Sequence, residues 1–233
     1  MQKSIPVLSS ALLLFLSLCW SVSAWGEVKN SEIPADLKLK IIAVAPFRSS
    51  AESGNGRESA RCPISGAIFR TCVIPPGSER ILEDLFVKKT AVYSDVSWKI
   101  SEKARSAFSP ESFTLWKVPA LQKVGRDLNA DAVVTGHVFC FRERVGYPLS
   151  VEKPASVAFG IYLVRTTDGA ILWKGIFSRT QQSLFENLLQ AGSFIKGGGK
   201  WLTSEELADL GLDEILATFP VRAQEKAAER ITE

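Results

Sequence analysis

The sequence predicts an α/β (α+β) fold in which helices pack on one mixed β-sheet, with extra helices at the C-terminal end. Three observations point there. The run from Ala130 to Arg142 is apolar or β-favouring on both of its alternating sets, so it suits a central strand covered on each side. Segments around it read in the order β-α-β-α-β-β-β, and a βαβαβ start followed by meander strands gives a mixed sheet. Asp168-Gly169 separates two strand-like runs and supplies the positive φ that a hairpin turn requires.

Taken in order, the chain justifies each element. Leu39 to Phe47 is apolar at nearly every position and ends at Pro46-Phe47, a second central strand. A long loop, 48–77, follows; its first half is polar, and Cys62 to Cys72 is a compact, partly apolar lobe. Ser78 is placed to cap a helix carrying Ile81, Leu82, Leu85 and Phe86 on one side, with Lys88 and Lys89 near its end. Val92 to Ile100 alternates as a strand, Ser101 to Ala107 reads as a short helix, and Ala120 to Leu128 as a longer one. In the central run, Val133, Thr135, His137, Phe139 and Phe141 fall on one face and Val134, Gly136, Val138 and Cys140 on the other. Val145 to Pro154 reads as a loop. Ala155 to Arg165 and Ala170 to Arg179 form the hairpin about Thr167-Asp168-Gly169. Ser183 to Gln190 is helical, Phe194 to Trp201 is a connector, Thr203-x-x-Glu206 is a capping box, and Leu212 to Phe219 is a further helix.

Residues 1–24 read as a secretory leader, with Lys3, an apolar stretch from Ala11 to Leu18, and Val22-Ser23-Ala24 as the cleavage site. Residues 25–38 are then a tether, 39–182 the α/β domain with its long loop 48–77, and 183–233 a C-terminal helical extension. Cys19 offers an alternative, lipidation and outer-membrane anchoring, although Leu18 stands where a lipidation signal places a small residue. Lys and Arg exceed Asp and Glu by three, with the signs interspersed, which argues against a nucleic-acid partner. Export makes the cysteines informative: Cys62, Cys72 and Cys140 remain after cleavage, an odd count that means one disulfide and one free thiol, or an intermolecular bond. Cys62 with Cys72 is the expected pair, closing a loop of about eleven residues and stabilising by roughly 2–3 kcal/mol.

Three blocks carry a family resemblance: Val44-Ala45-Pro46-Phe47, then Gly125-x-x-Leu128-x-Ala130-Asp131-x-Val133-Val134-x-Gly136, then Asp168-Gly169-x-Ile171-x-Trp173. Together they resemble the soluble domain of the curli-secretion lipoprotein (CsgG-like) superfamily of bacterial envelope proteins. That superfamily includes outer-membrane-associated lipoproteins and an activator of peptidoglycan synthases. The resemblance spans Leu39 to Gln182. It implies an accessory role in envelope assembly, secretion or cell-wall synthesis. The long alternating membrane hairpins of the secretion pore are missing from the pattern, so pore formation is not implied.

No reaction is encoded in a recognisable way, and no metal or cofactor is expected. His137 is the only histidine and lies mid-strand, where a hydrogen-bonded structural role is expected rather than that of a general base. Asp131, at a helix-to-strand junction, reads as a turn former. Gly197-Gly-Gly-Lys200 is not a phosphate loop, because Phe194 and Trp201 occupy positions that need Gly and Ser or Thr. Ser65-Gly66 reads as a turn, and the spacing of Glu143, Glu152, Asp168 and Glu186 singles out no catalytic pair.

The residues expected to touch a partner are Ile64, Ile68 and Phe69 of the lobe, as an apolar surface carried on a loop. Trp173, Phe177, Phe185, Phe194 and Trp201 read as a smaller core seating the C-terminal helices. The leading expectation is a non-enzymatic periplasmic protein that binds another envelope component. The alternative is a periplasmic hydrolase or small-ligand binder, which would show a deep pocket with convergent polar groups.

Overall fold

Eleven consecutive residues, Ala132–Arg142, form the strand around which the sheet is built. The computed structural model describes residues 39–50, 58–100, 117–148, 150–181 and 200–221. In chain order the elements are β1 (Ile41–Val44), β2 (Arg48–Ser49), β3 (Ser59–Arg61), β4 (Ile68–Arg70), α1 (Ser78–Thr90), β5 (Ser97–Ile100), α2 (Val118–Asp127), β6 (Ala132–Arg142), β7 (Val145–Tyr147), β8 (Ser150–Lys153), β9 (Ser156–Arg165), β10 (Ile171–Thr180) and α3 (Ser204–Leu216). The expected helices at Ser101 to Ala107 and Ser183 to Gln190 lie outside the described residues, as do the leader and the tether.

The sheet is mixed, in the order β10-β9-β6-β1-β5, with β2 also beside β6. β5, β1 and β6 are parallel, while β9 and β10 continue antiparallel. The crossover from β1 to β5 runs through α1, and the return from β5 to β6 runs through α2 in the opposite direction. Two right-handed crossovers of that kind place their helices on opposite faces. Accordingly, Leu82 and Phe86 of α1 share one core with Val134, Val138, Phe159 and Ile161, whereas Leu121 and Val124 of α2 share the other with Val133, Tyr162 and Val164.

α3 joins the first face. Its Leu207, Ala208, Leu212 and Ile215 sit in one continuous core with Trp173, Phe177 and Phe219, so Trp173 and Phe177 belong to the main core and not to a separate one. Phe185 and Phe194 lie outside the described residues. Thr203 and Glu206 form the reciprocal capping box that the sequence predicts. The helix then runs unbroken through Gly211 to Leu216, where the sequence suggested two helices. Lys89 of α1 bridges to Asp213 and Asp209 of α3 at 2.6 and 3.0 Å. Burial lowers its pKa, but the two carboxylates outweigh that and hold it above the ordinary lysine value.

Other differences have local causes. Gly77, in a left-handed conformation, caps α1; Ser78 is the first helical residue, and its hydroxyl donates to the Pro75 carbonyl. The strand expected from Val92 begins only at Ser97, because the turn at 91–95 tucks Tyr93 and Val96 into the core and leaves Val92 exposed. Val145–Tyr147 and Ser150–Lys153 pair as a small, largely exposed hairpin, β7–β8, instead of a loop.

The first strand is interrupted. β1 pairs with Ala132–Val134 and β2 resumes beside His137 and Val138, with Pro46 in the gap. The Phe47 amide in that gap donates to the buried carboxylate of Glu83 at 2.9 Å, so an amide taken out of the ladder is still satisfied. Phe47 itself lies on Gly136, where a β-carbon would stand 2.4 Å from its ring.

One irregularity in β6 decides the rest. Val138 stands opposite Phe159 and Cys140 opposite Ala158, so β6 carries one extra residue there as a β-bulge. The alternation read from sequence is broken at that point. Phe139 and Cys140 both join the α2 face, and Phe141 turns to the α1 face with Val138.

Candidate functional site

The lobe that the sequence singled out is a hairpin laid against the sheet on the α2 side. β3 and β4 pair through Ser59–Arg70, Ala60–Phe69 and Arg61–Ile68, and the Cys62 amide donates to the Ala67 carbonyl. The chain reverses through Pro63-Ile64-Ser65-Gly66, with Gly66 at φ 71, so Ser65-Gly66 is the turn expected.

This register corrects the disulfide. Cys62 faces Ala67 at the turn, and Cys72 lies five positions further along the return segment, two beyond the end of β4, about 16 Å away at the usual strand rise. A disulfide needs Cα atoms within about 7 Å. Cys72 instead bonds to Cys140, with Cα atoms 4.6 Å apart, and Cys62 is a buried free thiol. The bulge makes this possible, since in a regular strand Cys140 would point to the opposite face.

The predicted contact residues are divided by the docking. Phe69 is buried and stacks on Phe139, ring centroids 4.0 Å apart and planes 7° from parallel, which removes it from any outer surface. Ile68, next to it, points outward and is 67% exposed; Ile64 is partly buried. Val73, just past the disulfide, is 66% exposed and adds a second outward apolar side chain.

His137 and Arg48 lie side by side in the β2–β6 ladder. Burial, and then the Arg48 guanidinium, push His137 down to about 4, so its ring is neutral at neutral pH. It stacks on Phe139 with centroids 5.3 Å apart. The expected hydrogen bond is not made at Nδ1, which is buried without a partner among the described residues, as is Thr135 Oγ1 on the same face. A triad needs a group orienting that nitrogen. Desolvation lowers Arg48 to about 10, with Glu79 and Glu83 opposing the shift.

Asp131 does what a junction acid does structurally. Its carboxylate accepts from the Lys40 and Ile41 amides, both at 2.8 Å, and so seats the start of β1 against β6. The carboxylates weighed as a pair are dispersed. Glu143 accepts from the Ser204 amide and hydroxyl at the start of α3, and Asp168 pairs with Arg165 in the hairpin turn at the far end of β9. Glu152 is on exposed β8, and Glu186 lies outside the described residues. Among the described residues, no three His, Cys, Asp or Glu side chains gather as a metal site would need.

No protein-family model matches this chain. No curated protein matches it either. Among solved structures, it is similar to a PelC dodecamer from Paraburkholderia phytofirmans, at 14% identity and a TM-score of 0.45 over 78% of this chain and 89% of that one. It is similar to lipoprotein GNA1162 from Neisseria meningitidis, at 13% identity and 0.42 over 69% and 95%. The C-terminal domain of LpoB from Salmonella enterica gives 12% identity and 0.33 over 63% and 87%. At these values the likenesses assign no role.

The polar contact that sequence reading missed is Tyr162. Its hydroxyl accepts from Ser65 at 2.9 Å and lies within hydrogen-bond reach of the Cys62 thiol. Burial, then the neighbouring Cys62, raises its pKa above the ordinary phenol range. A tyrosine in the middle of an apolar strand needs a partner for its hydroxyl, and that need was the available signal. The hairpin is therefore held at both ends, by Ser65–Tyr162 at the turn and Cys72–Cys140 at the base.

Proposed function

We propose that this chain is an exported, periplasmic cell-envelope protein of the CsgG-like kind that acts without catalysis, by binding another envelope component in assembly, secretion or cell-wall synthesis. The arrangement of leader 1–24, tether 25–38, domain 39–182 and extension 183–233 is part of the same reading.

One observation carries it. The lobe's inner side is fixed to the sheet by a disulfide, an aromatic stack and a hydrogen bond, while Ile68 and Val73 face outward. A rigidly seated hairpin gives an apolar contact with little conformational entropy left to lose on binding. The disulfide also fits export, since such bonds persist in oxidising compartments. The partner class is an envelope protein with a complementary apolar recess.

The test is crosslinking in the native envelope with the wild type and an Ile68→Asp, Val73→Asp double variant. One defined crosslinked partner, lost in a variant that folds and is exported normally, is the expected result. Identical crosslinks from both forms, or none from either, would sink the proposal.

A further inference from the structure

The cysteines pair against their order along the chain. Cys62 and Cys72 are ten positions apart, whereas the bonded pair is separated by 68. In an unfolded chain, contact becomes rarer with about the three-halves power of loop length, so Cys62 meets Cys72 about 20 times as often as Cys72 meets Cys140. In a chain oxidised before it folds, the bond favoured first is therefore the non-native one. Once it has closed, β3 and β4 cannot take their register, because that register holds Cys62 and Cys72 about 16 Å apart. With the hairpin unable to dock, the fold no longer brings Cys72 onto Cys140, which the native state holds with Cα atoms 4.6 Å apart.

We infer that this protein reaches its native disulfide by isomerisation, and that its partner in that step is a thiol–disulfide isomerase, a protein carrying a reactive dithiol. The inference rests on the export reading, which places the new thiols in an oxidising compartment. A thiolate of the dithiol attacks Sγ of Cys72 in the Cys62–Cys72 bond. That bond breaks, Cys62 leaves as a thiolate and takes up a proton, and Cys72 is held in a mixed disulfide. The Cys140 thiolate then attacks Sγ of Cys72, forms the native bond and releases the enzyme's thiolate. One disulfide and one thiol become one disulfide and one thiol, so no oxidant or reductant is consumed. The fold locks in the product, because Cys62 ends 1% exposed beside the Tyr162 hydroxyl, where a thiol has little access to attack.

The experiment uses the full chain with Cys19→Ser, exported through its own leader, purified, reduced in denaturant and refolded in air. Disulfides are mapped by mass spectrometry over time, with and without a reduced and oxidised glutathione pair. Without glutathione, Cys62–Cys72 should exceed Cys72–Cys140 by about 20-fold at early times and persist. With glutathione it should convert to Cys72–Cys140. A Cys62→Ala variant should form Cys72–Cys140 directly in both conditions, and Cys62→Ser serves if Ala disturbs the core. In a host without envelope isomerase activity, the three-cysteine chain should accumulate Cys62–Cys72. Equal rates and yields of Cys72–Cys140 with and without thiol, or unchanged pairing in that host, would overturn the inference. Export is read separately. Thiols found wholly reduced in cells would defeat the export reading, while the refolding result still decides the isomerisation.

Discussion

Phe69 lies flat on Phe139, and this stack is the apolar anchor of the hairpin lobe. Phe139 reaches that face by the regular alternation from Val133, and the bulge between Val138 and Cys140 brings Cys140 onto the same face beside it. Phe69→Ala removes a fully packed ring and should cost about 3 kcal/mol, within the range for buried aromatic truncation. Urea unfolding checks the cost. Hydrogen exchange should show faster opening at Ala60 and Arg61 than in β9.

The Cys72–Cys140 bond closes a long loop, so its removal should be felt in the unfolded state. With a separation of 68, the chain-entropy account gives about 4 kcal/mol for the bond. Cys140→Ala with Cys72→Ala should lower stability by about that amount, while Cys62→Ala should cost about 1 kcal/mol for a small buried side chain. Calorimetry of the two variants distinguishes the cases. The reverse ranking would contradict the connectivity.

Which parts of this fold could be read in advance follows from how local their causes are. β6, the Asp168-Gly169 turn and the Thr203–Glu206 box each depend on residues adjacent in sequence, and all three are legible. The bulge is not, because one extra residue in a ladder changes no composition or period. Without it, Cys140 is assigned to the wrong face and Cys62–Cys72 looks the natural pair. The continuity of α3 through Gly211 is equally non-local, since that glycine faces Phe177 of β10 and a β-carbon there would approach the ring to 2.7 Å. Of the proposed contact residues, Ile68 and Phe69 are neighbours with opposite fates, as strand alternation requires, but only the register says which of them points out.

Gly136 is a steric requirement. A β-carbon at this position would stand 2.4 Å from the Phe47 ring, which is itself fixed by the Glu83 bond to its amide. Gly136→Ala should therefore destabilise by about 1–3 kcal/mol, as overpacking does. Phe47→Leu in the same chain should recover part of the loss. A double-mutant cycle on denaturant midpoints measures that recovery, and strict additivity would show that the two residues do not compete for the same space.

His137 should make stability depend on pH in one direction. Its folded pKa, about 4, lies below the ordinary value of 6.5, because burial and the Arg48 cation oppose protonation. Between those values the unfolded chain binds a proton that the folded chain does not, so acid favours unfolding. The contribution is fully present above about pH 6.5, declines as pH falls through that window, and levels off below about pH 4. Integrated across the window it amounts to about 3 kcal/mol. His137→Phe keeps the ring stacked on Phe139 and removes the titration. Urea midpoints at intervals from pH 4 to 7 should therefore slope more steeply in the wild type than in the variant. Parallel profiles would mean that His137 is protonated in the folded state as readily as in the unfolded one, and that neither burial nor the Arg48 guanidinium holds its pKa down.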